Sequence, residues 1–145
     1  EIIELNQKSI AQGGQIVDLR LPGTLYIYAD EVKIGQVITN FLTNALKHTA
    51  AGQHIIIQAY RKPDEETMHF EIRDDGEGIP ESELPYVWDR YHKTSRSFSR
   101  NQLNTGLGLA IVKAILDAHD AQFGVESVVG KGSTFWFELR ETHEA

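Results

Sequence analysis

The chain has 145 residues, a mass of 16.3 kDa and a composition of 41% hydrophobic and 24% charged residues, which predicts a single compact domain over residues 1–145. Its formal net charge of −7 argues against a general nucleic-acid or membrane-surface binder, because such proteins need a basic face. The absence of cysteine excludes disulfides, thiolate metal sites and cysteine nucleophiles.

The first elements along the chain are short. "EIIELNQKSIAQGG" has apolar residues at helical spacing and ends in two glycines, which predicts a helix. Two strands are predicted over 15–21 and 25–29, with a Pro22-Gly23 turn between them. No apolar run is long enough to span a bilayer. Glu1, where an initiator methionine would stand, suggests a segment of a longer protein.

A helix is predicted from about Asp30, which is a good N-cap residue. Its apolar face consists of Ile34, Val37, Ile38, Phe41, Leu42 and Ala45. A polar stripe borders that face and consists of Asn40, Asn44, Lys47 and His48. The stripe alone is explained equally well by a solvated helix edge and by a binding site.

Two strands in a hairpin are predicted over 54–60 and 68–74. They lead into "DDGEGIP", which begins at Asp74. Asp-Gly pairs after a strand are ordinary turn residues, so this stretch by itself leaves open whether it is only a turn or also a ligand site. "IPESELP" predicts a short helical turn after it.

The last third of the chain begins with a long polar loop, about 91–105, which is typical of a lid. A helix is predicted over 106–119, and its expected core side consists of Leu107, Ala110, Ile111, Ala114, Ile115 and Ala118. Two final strands over 122–128 and 133–139 place Phe135, Phe137 and Leu139 toward the core.

"NTGLGLA" combines glycines with a helix start, so that free backbone N–H groups and the helix dipole favour phosphate. A packing role for Gly106 and Gly108 is the alternative. The Walker pattern fails, because Lys131 in "GKGST" is followed by glycine, and no dinucleotide G-x-G-x-x-G occurs.

Four residues have side chains suited to a nucleotide. Asn40 and Asn44 each offer an amide oxygen that can ligate Mg²⁺ without adding negative charge, and Lys47 can neutralise phosphate oxygens. Asp74 can accept a hydrogen bond from an adenine amino group.

The ordered stretches "NFLTNALKHT", "DDGEGIP", "VWDRYHK", "TGLGLAIVKAI" and "GKGSTFWFEL" resemble the N, G1, F and G2 boxes and final strands of sensor histidine kinase catalytic ATP-binding domains. The resemblance covers nearly the whole chain. It implies the Bergerat fold, an α/β (α+β) two-layer sandwich in which a mixed, mainly antiparallel sheet is backed by three helices, with an ATP lid at about 91–105.

The resemblance implies a role for each matching residue. Asn44 matches the Mg²⁺ ligand, Lys47 the phosphate-contacting lysine, Asp74 the adenine-reading aspartate, and Arg90 a residue that assists catalysis beside the γ-phosphate. The other residues expected to contact the nucleotide are Asn40, His48, Gly76, Gly78, Ile79, Tyr91, Thr105, Gly106, Leu107, Gly108 and Thr134, and Trp88 resembles part of the F box. Lys47 and Arg90 are the expected catalytic residues.

The chain also departs from the family pattern. "NQLN" before Thr105 has fewer glycines than usual, and "AHDAQ" replaces a His-Gly-Gly turn, where Asp120 is still able to adopt a turn conformation. The phosphoacceptor histidine motif of the family is missing. An acidic residue directly follows both His119 and His143, but neither histidine is interpreted as the phosphoryl acceptor. His119 is interpreted as a residue at the C-terminal end of a helix, where the helix dipole favours it.

The resemblance implies a protein-histidine kinase of a two-component system that binds ATP and Mg²⁺ and transfers the γ-phosphoryl to a separate dimerisation domain of the same protein. A response regulator is an indirect partner, nucleic acid and membrane contacts are not expected, and the location implied is the cytoplasmic portion of a membrane-anchored sensor. The rival hypotheses are another ATPase of the superfamily, for which Gln36 stands near the position of the water-activating glutamate, and a degenerate interaction module that needs no nucleotide.

Overall fold

The computed structural model describes residues 14–20, 31–63, 66–89 and 108–140. In chain order these form β1 (Ile16–Arg20), α1 (Glu31–Lys47), β2 (His54–Arg61), β3 (Thr67–Asp74), a 3₁₀-helix (Glu81–Tyr86), α2 (Gly108–Ala118), β4 (Gln122–Val128) and β5 (Gly132–Arg140). The strands make one five-stranded sheet in the order β1-β2-β3-β5-β4. Only β1 and β2 run parallel, so the predicted mixed, mainly antiparallel sheet is confirmed.

Strand alternation divides the residues of β3 and β5 between two faces. The helix-covered face carries Met68, Phe70, Ile72 and Asp74 of β3, opposite Leu139, Phe137, Phe135 and Ser133 of β5. The predicted inward direction of Phe135, Phe137 and Leu139 is confirmed, since all three are buried. Because neighbouring side chains point to opposite faces, Arg73 and Thr134 belong to the other face of the sheet.

Helix α1 packs on the sheet through the face that its periodicity predicts. Ile34, Val37, Phe41, Leu42 and Ala45 are buried, and Ile38 is partly buried against them. The Phe41 ring lies 5.5 Å from that of Phe135 and 6.4 Å from that of Trp88, measured between centroids. These contacts set the rotation of α1, so that its polar stripe lies at the edge of the core.

The buried face of helix α2 matches the predicted one only in part. Ile115 is buried as predicted, together with Val112 and Leu116, whereas Ile111 is 39% exposed and Ala114 and Ala118 are also exposed. Apart from Lys113 and Asp117, which pair at 2.9 Å on the surface, the helix is apolar almost all round. Periodicity therefore could not choose the buried face, and packing selected the one with the larger branched side chains.

The end of α2 uses an aspartate where a glycine is common. Asp120 has φ of 54°, and the Ala121 N–H donates to the Leu116 carbonyl at 3.0 Å, which closes the helix. The predicted turn conformation of Asp120 is thus confirmed. His119 lies in the last turn, with Nδ1 2.8 Å from the Ile115 carbonyl oxygen.

Several predictions fall on residues outside the described ranges. These are the opening helix, which would be the third helix of the fold, the strand over 25–29, the lid at about 91–105 and His143. Among the described residues, no helix is both long and apolar enough to cross a membrane.

Candidate nucleotide site

The polar stripe of α1 presents two half-buried asparagines, Asn40 and Asn44. Neither carboxamide forms a hydrogen bond with another described residue, although the Asn40 backbone carbonyl accepts one from the Thr43 hydroxyl at 3.2 Å. Half-buried amides in folded proteins are normally hydrogen-bonded. Because no described residue bonds these two side chains, a ligand is a suitable partner for them. The structure thus favours a binding role for the stripe over a solvated edge.

Lys47 ends α1 one turn after Asn44. It is half-buried, and burial lowers the pKa of its ammonium group from the ordinary value. Within the described part of the chain no carboxylate lies within ion-pair distance of it. A partly desolvated cation without a nearby counterion attracts an anion. Lys47 is therefore a local positive site in a chain whose net charge is negative.

Asp74 stands at the end of β3 with only 4% of its surface exposed. Its Oδ1 accepts a hydrogen bond from the Gly76 N–H at 2.9 Å, and the Ser133 backbone N–H also bonds to its carboxylate. Burial raises the pKa of Asp74, and the two backbone hydrogen bonds oppose that rise. The carboxylate is therefore held in one orientation while its remaining acceptor capacity stays available.

The turn after Asp74 needs glycine at two positions because other backbone lies against it. A Cβ at Gly76 would overlap the His48 carbonyl oxygen, and a Cβ at Gly78 would overlap the Val128 carbonyl. Gly78 also has φ of +77°, which favours glycine. "DDGEGIP" is thus a tight turn, wedged between the end of α1 and the β4–β5 connection.

The beginning of α2 approaches the polar stripe. Gly108 is its first residue, and a Cβ built there would lie 3.5 Å from the Asn40 Oδ1. The glycine-rich helix start and the asparagine helix are therefore neighbours, as a phosphate site between them requires. Thr105, Gly106 and Leu107 precede this point and lie outside the described residues, as do Arg90 and Tyr91.

The sheet and the core position two further residues of the matching motifs. Thr134 pairs with Arg73 on the face of the sheet away from Asp74, whereas its neighbour Ser133 pairs with Asp74, because alternation along β5 puts the two on opposite faces. Trp88, the F-box residue, packs into the core, with ring centroids 5.1 Å from Phe123 and 5.8 Å from Phe135.

Ser133 and Ser127 were missed from the sequence. The Ser133 and Ser127 hydroxyls lie 2.7 Å apart, and Ser127 Oγ accepts a hydrogen bond from the Ile79 N–H, also at 2.7 Å. Together they attach the predicted pocket residue Ile79 to the last two strands. The signal for Ser133 was available, since the inward direction of Phe135 implies the same direction two residues earlier.

The donor set of α1 fits Mg²⁺ bound together with a nucleotide. Asn44 offers one neutral amide oxygen, close in sequence to the cation Lys47, and no described residue engages either group. Mg²⁺ prefers oxygen ligands, keeps several waters and is bound through one or two protein groups plus substrate phosphates. Asn44 is the residue that would hold it.

Comparison with known proteins agrees with this geometry. The family model of the histidine kinase-, DNA gyrase B- and HSP90-like ATPases matches residues 29–143. The chain belongs to this family. Membership confirms the predicted Bergerat fold, and the matched region includes the helix, turn and strands that form the site.

The relatives of this ATPase-family domain are sensor kinases. The chain is 36% identical to "Sensor histidine kinase WalK" of Bacillus subtilis over 79% of the chain and 19% of that protein. It is 42% identical to "Sensor histidine kinase AruS" of Pseudomonas aeruginosa over 72% of the chain and 11% of that protein. It thus spans a fifth or less of these relatives, and its resemblance to a histidine kinase catalytic ATP-binding domain is confirmed.

Solved structures give the same result. The crystal structure of full-length ShkA in complex with AMPPNP matches with a TM-score of 0.84 at 27% identity, over 99% of this chain and 29% of that one. The catalytic domain of histidine kinase ThkA matches with a TM-score of 0.82 at 24% identity, over 97% of this chain and 90% of that one, so the domain has the fold of a histidine kinase catalytic domain.

Proposed function

We propose that this domain binds Mg-ATP and, within its parent protein, transfers the γ-phosphoryl group to a histidine on a separate dimerisation domain. The observation that carries the proposal is the buried carboxylate of Asp74, oriented by two backbone N–H groups, together with the half-buried Lys47 of α1, which has no ion-pair partner in the part of the chain that the structure describes. One end of this arrangement suits an adenine and the other suits phosphates.

At the base end, Asp74 accepts a hydrogen bond from the adenine amino group. A buried carboxylate that two backbone donors already hold discriminates strongly, because a base lacking the amino donor would leave its free acceptor unpaired. Gly76 and Gly78 keep the floor of the pocket free of side chains, and Ile79 contributes an apolar wall. Ser133 replaces Thr134 in the proposed set.

At the phosphate end, Asn40, Asn44 and Lys47 bind and orient the triphosphate, and His48 lies one residue further on. Mg²⁺, when bound, neutralises part of the phosphate charge. Phosphoryl transfer asks mainly for positioning and charge stabilisation, which a partly buried lysine with no ion-pair partner among the described residues supplies. The N-terminus of α2 at Gly108 supplies backbone N–H donors, and Thr105, Gly106 and Leu107, which precede it in the chain, belong to the same proposed phosphate contact.

Arg90 and Tyr91 and the lid at about 91–105 complete the proposed site. Arg90 assists transfer at the γ-phosphate, and the lid closes over the bound nucleotide. The phosphoacceptor histidine belongs to a dimerisation domain of the parent protein, a response regulator receives the phosphoryl group from there, and the domain acts on the cytoplasmic side of a sensor anchored in a membrane.

The family also contains gyrase-like and HSP90-like ATPases. An ATPase of that kind needs a general base for the attacking water. Gln36 stands near the corresponding position on α1, is exposed and is not basic. The sensor kinase hypothesis is favoured, because the WalK and AruS relatives are named sensor histidine kinases.

The first experiment titrates the domain with the fluorescent analogue TNP-ATP, with and without Mg²⁺. Wild type should bind, and Asp74→Asn should lose most of that affinity because an amide NH₂ would face the adenine amino group. Asp75→Asn is the matched control, since Asp75 is the exposed neighbour whose Oδ1 accepts the His54 N–H at 2.7 Å. Failure of the folded wild type to bind would favour the degenerate module.

The second experiment supplies the dimerisation domain of the parent protein together with radiolabelled ATP. A phosphorylated histidine on that domain supports the kinase reading, and Lys47→Ala should reduce the transfer at least tenfold. Release of inorganic phosphate at the same rate with and without the dimerisation domain would instead identify an ATPase.

A further inference from the structure

Glu77 joins three parts of the candidate site although it is not among the residues expected to contact nucleotide. Its side chain reaches His48, with Oε1 3.1 Å from the ring Nδ1. Its backbone N–H donates to the His48 carbonyl at 3.4 Å, and its carbonyl accepts from the Gly130 N–H at 2.9 Å. One residue of the turn therefore bridges the end of α1 and the β4–β5 connection.

The backbone packing around Glu77 leaves little freedom for the turn as a whole. Gly76 lies against the His48 carbonyl and Gly78 against the Val128 carbonyl, so that neither accepts a Cβ. The His48–Glu77 side-chain contact is different, because Glu77 is exposed and His48 half-buried. The backbone contacts hold the turn in place, and the side-chain contact acts on the orientation of the His48 ring.

The contact determines which nitrogen of His48 remains for a ligand. Nδ1 faces the Glu77 carboxylate, and Nε2 has no partner among the described residues. In an imidazole the hydrogen bond made by one ring nitrogen sets the protonation of the other. A carboxylate at Nδ1 holds a proton there and restricts the ring to orientations that keep Nε2 away from Glu77.

We propose that Glu77 is a positioning residue for nucleotide binding, which acts by holding Nδ1 of His48 so that Nε2 is presented to the phosphate side of the bound nucleotide. This inference rests on the proposed function. His48 follows Lys47 directly, and it also interacts electrostatically with Asp74, so it stands between the two ends of the site. Loss of the Glu77 carboxylate releases the ring without disturbing the backbone contacts.

The test measures the affinities of ADP and adenosine by competition against TNP-ATP in wild type, Glu77→Ala and Glu77→Gln. Glu77→Ala should weaken ADP about three- to fivefold, the size expected for losing one partly exposed charged contact, and should leave adenosine within twofold. Glu77→Gln retains an oxygen for Nδ1–H and should restore most of the ADP affinity. Glu81→Ala, an exposed glutamate on the 3₁₀-helix, is the control and should bind as wild type does.

A spectroscopic measurement separates positioning from a general loss of structure. In ¹⁵N NMR spectra of the histidine rings, addition of ADP should shift Nε2 of His48 in wild type, and Glu77→Ala should change the Nδ1 signal before any ligand is added. Unchanged ADP affinity in Glu77→Ala, or equal losses for ADP and adenosine, would overturn the proposal. The proposed function fails separately, if wild type itself binds no ADP.

Discussion

Ser133 lies directly opposite Asp74 in the β3–β5 ladder, and its backbone N–H hydrogen-bonds the Asp74 carboxylate. Both residues are buried, although they stand at the edge of the core among larger apolar side chains. The Ser133 hydroxyl also hydrogen-bonds the Ser127 hydroxyl, which accepts a hydrogen bond from the Ile79 N–H. The end of β3 and the turn that follows it are thus held to the start of the last strand.

This relationship predicts different effects at two adjacent residues. Ser133→Ala removes a hydroxyl that helps to hold Ile79, so TNP-ATP affinity should fall about fivefold, the equivalent of one hydrogen bond of about 1 kcal/mol. Thr134→Ala changes the opposite face and should leave affinity within twofold. A larger loss in Thr134→Ala than in Ser133→Ala, measured by the same titration, would contradict the register-based assignment.

The raised pKa of Asp74 predicts a pH effect on stability. Because burial keeps the folded-state pKa above the unfolded value, the native state binds the proton more tightly, and this group stabilises the fold increasingly as pH falls through the folded-state pKa. The unfolding free energy of wild type minus that of Asp74→Asn should therefore be larger near pH 4 than at pH 7, as measured by urea denaturation.

Glu138, on the other face of the sheet, predicts a pH effect on stability opposite in direction to that of Asp74. Its Oε2 lies 2.7 Å from Nδ1 of His69 and its Oε1 3.0 Å from Nζ of Lys62. Burial acts to raise the pKa of Glu138, but the hydrogen bonds from His69 and Lys62 outweigh it and the net pKa is lowered. Its stabilising contribution is therefore complete above the unfolded pKa of about 4.3 and is lost as pH falls through the folded-state value.

Urea denaturation of Glu138→Gln tests this second pH effect. The variant should be less stable than wild type at pH 6, and the difference should shrink as pH falls below about 4, because the wild-type carboxyl is then protonated as well. Glu126→Gln, at an exposed position of β4, is the control. A stability difference that does not change with pH would show that the His69 and Lys62 contacts do not perturb Glu138.

The burial pattern of α2 predicts that substitutions at Leu116 and Ile111 lower the unfolding free energy by different amounts. Leu116 is fully buried, so Leu116→Ala should lower the unfolding free energy by roughly 2–5 kcal/mol. Ile111→Ala should cost less than about 1 kcal/mol, because Ile111 is partly exposed. Thermal or urea unfolding measures both, and equal losses would mean that Ile111 is covered in solution.

Most of the secondary structure was predictable because its signals are local. Alternation marked β2, β3 and β5, and the apolar periodicity of α1 identified its buried face correctly, since α1 has a clear polar side. Asn44, Lys47 and Asp74 were predicted as nucleotide-contacting residues from residue type and from the family resemblance, and these roles stay predictions. The structure finds the Asp74 carboxylate buried and finds no partner for the other two side chains among the described residues.

Tertiary packing decided the features that the local sequence pattern does not encode. Helix α2 is apolar on nearly all sides, so only its contacts with α1 and the sheet select the face with Val112, Ile115 and Leu116. Ser133 lies next to Asp74 only through their register, and Glu77 lies next to His48 only because the turn folds against the end of α1. The sequence by itself thus determined the family and most of the elements, and it supplied the residue types on which the proposed site depends. The tertiary structure decided which neighbours hold those residues, because register and packing depend on residues far apart in the chain.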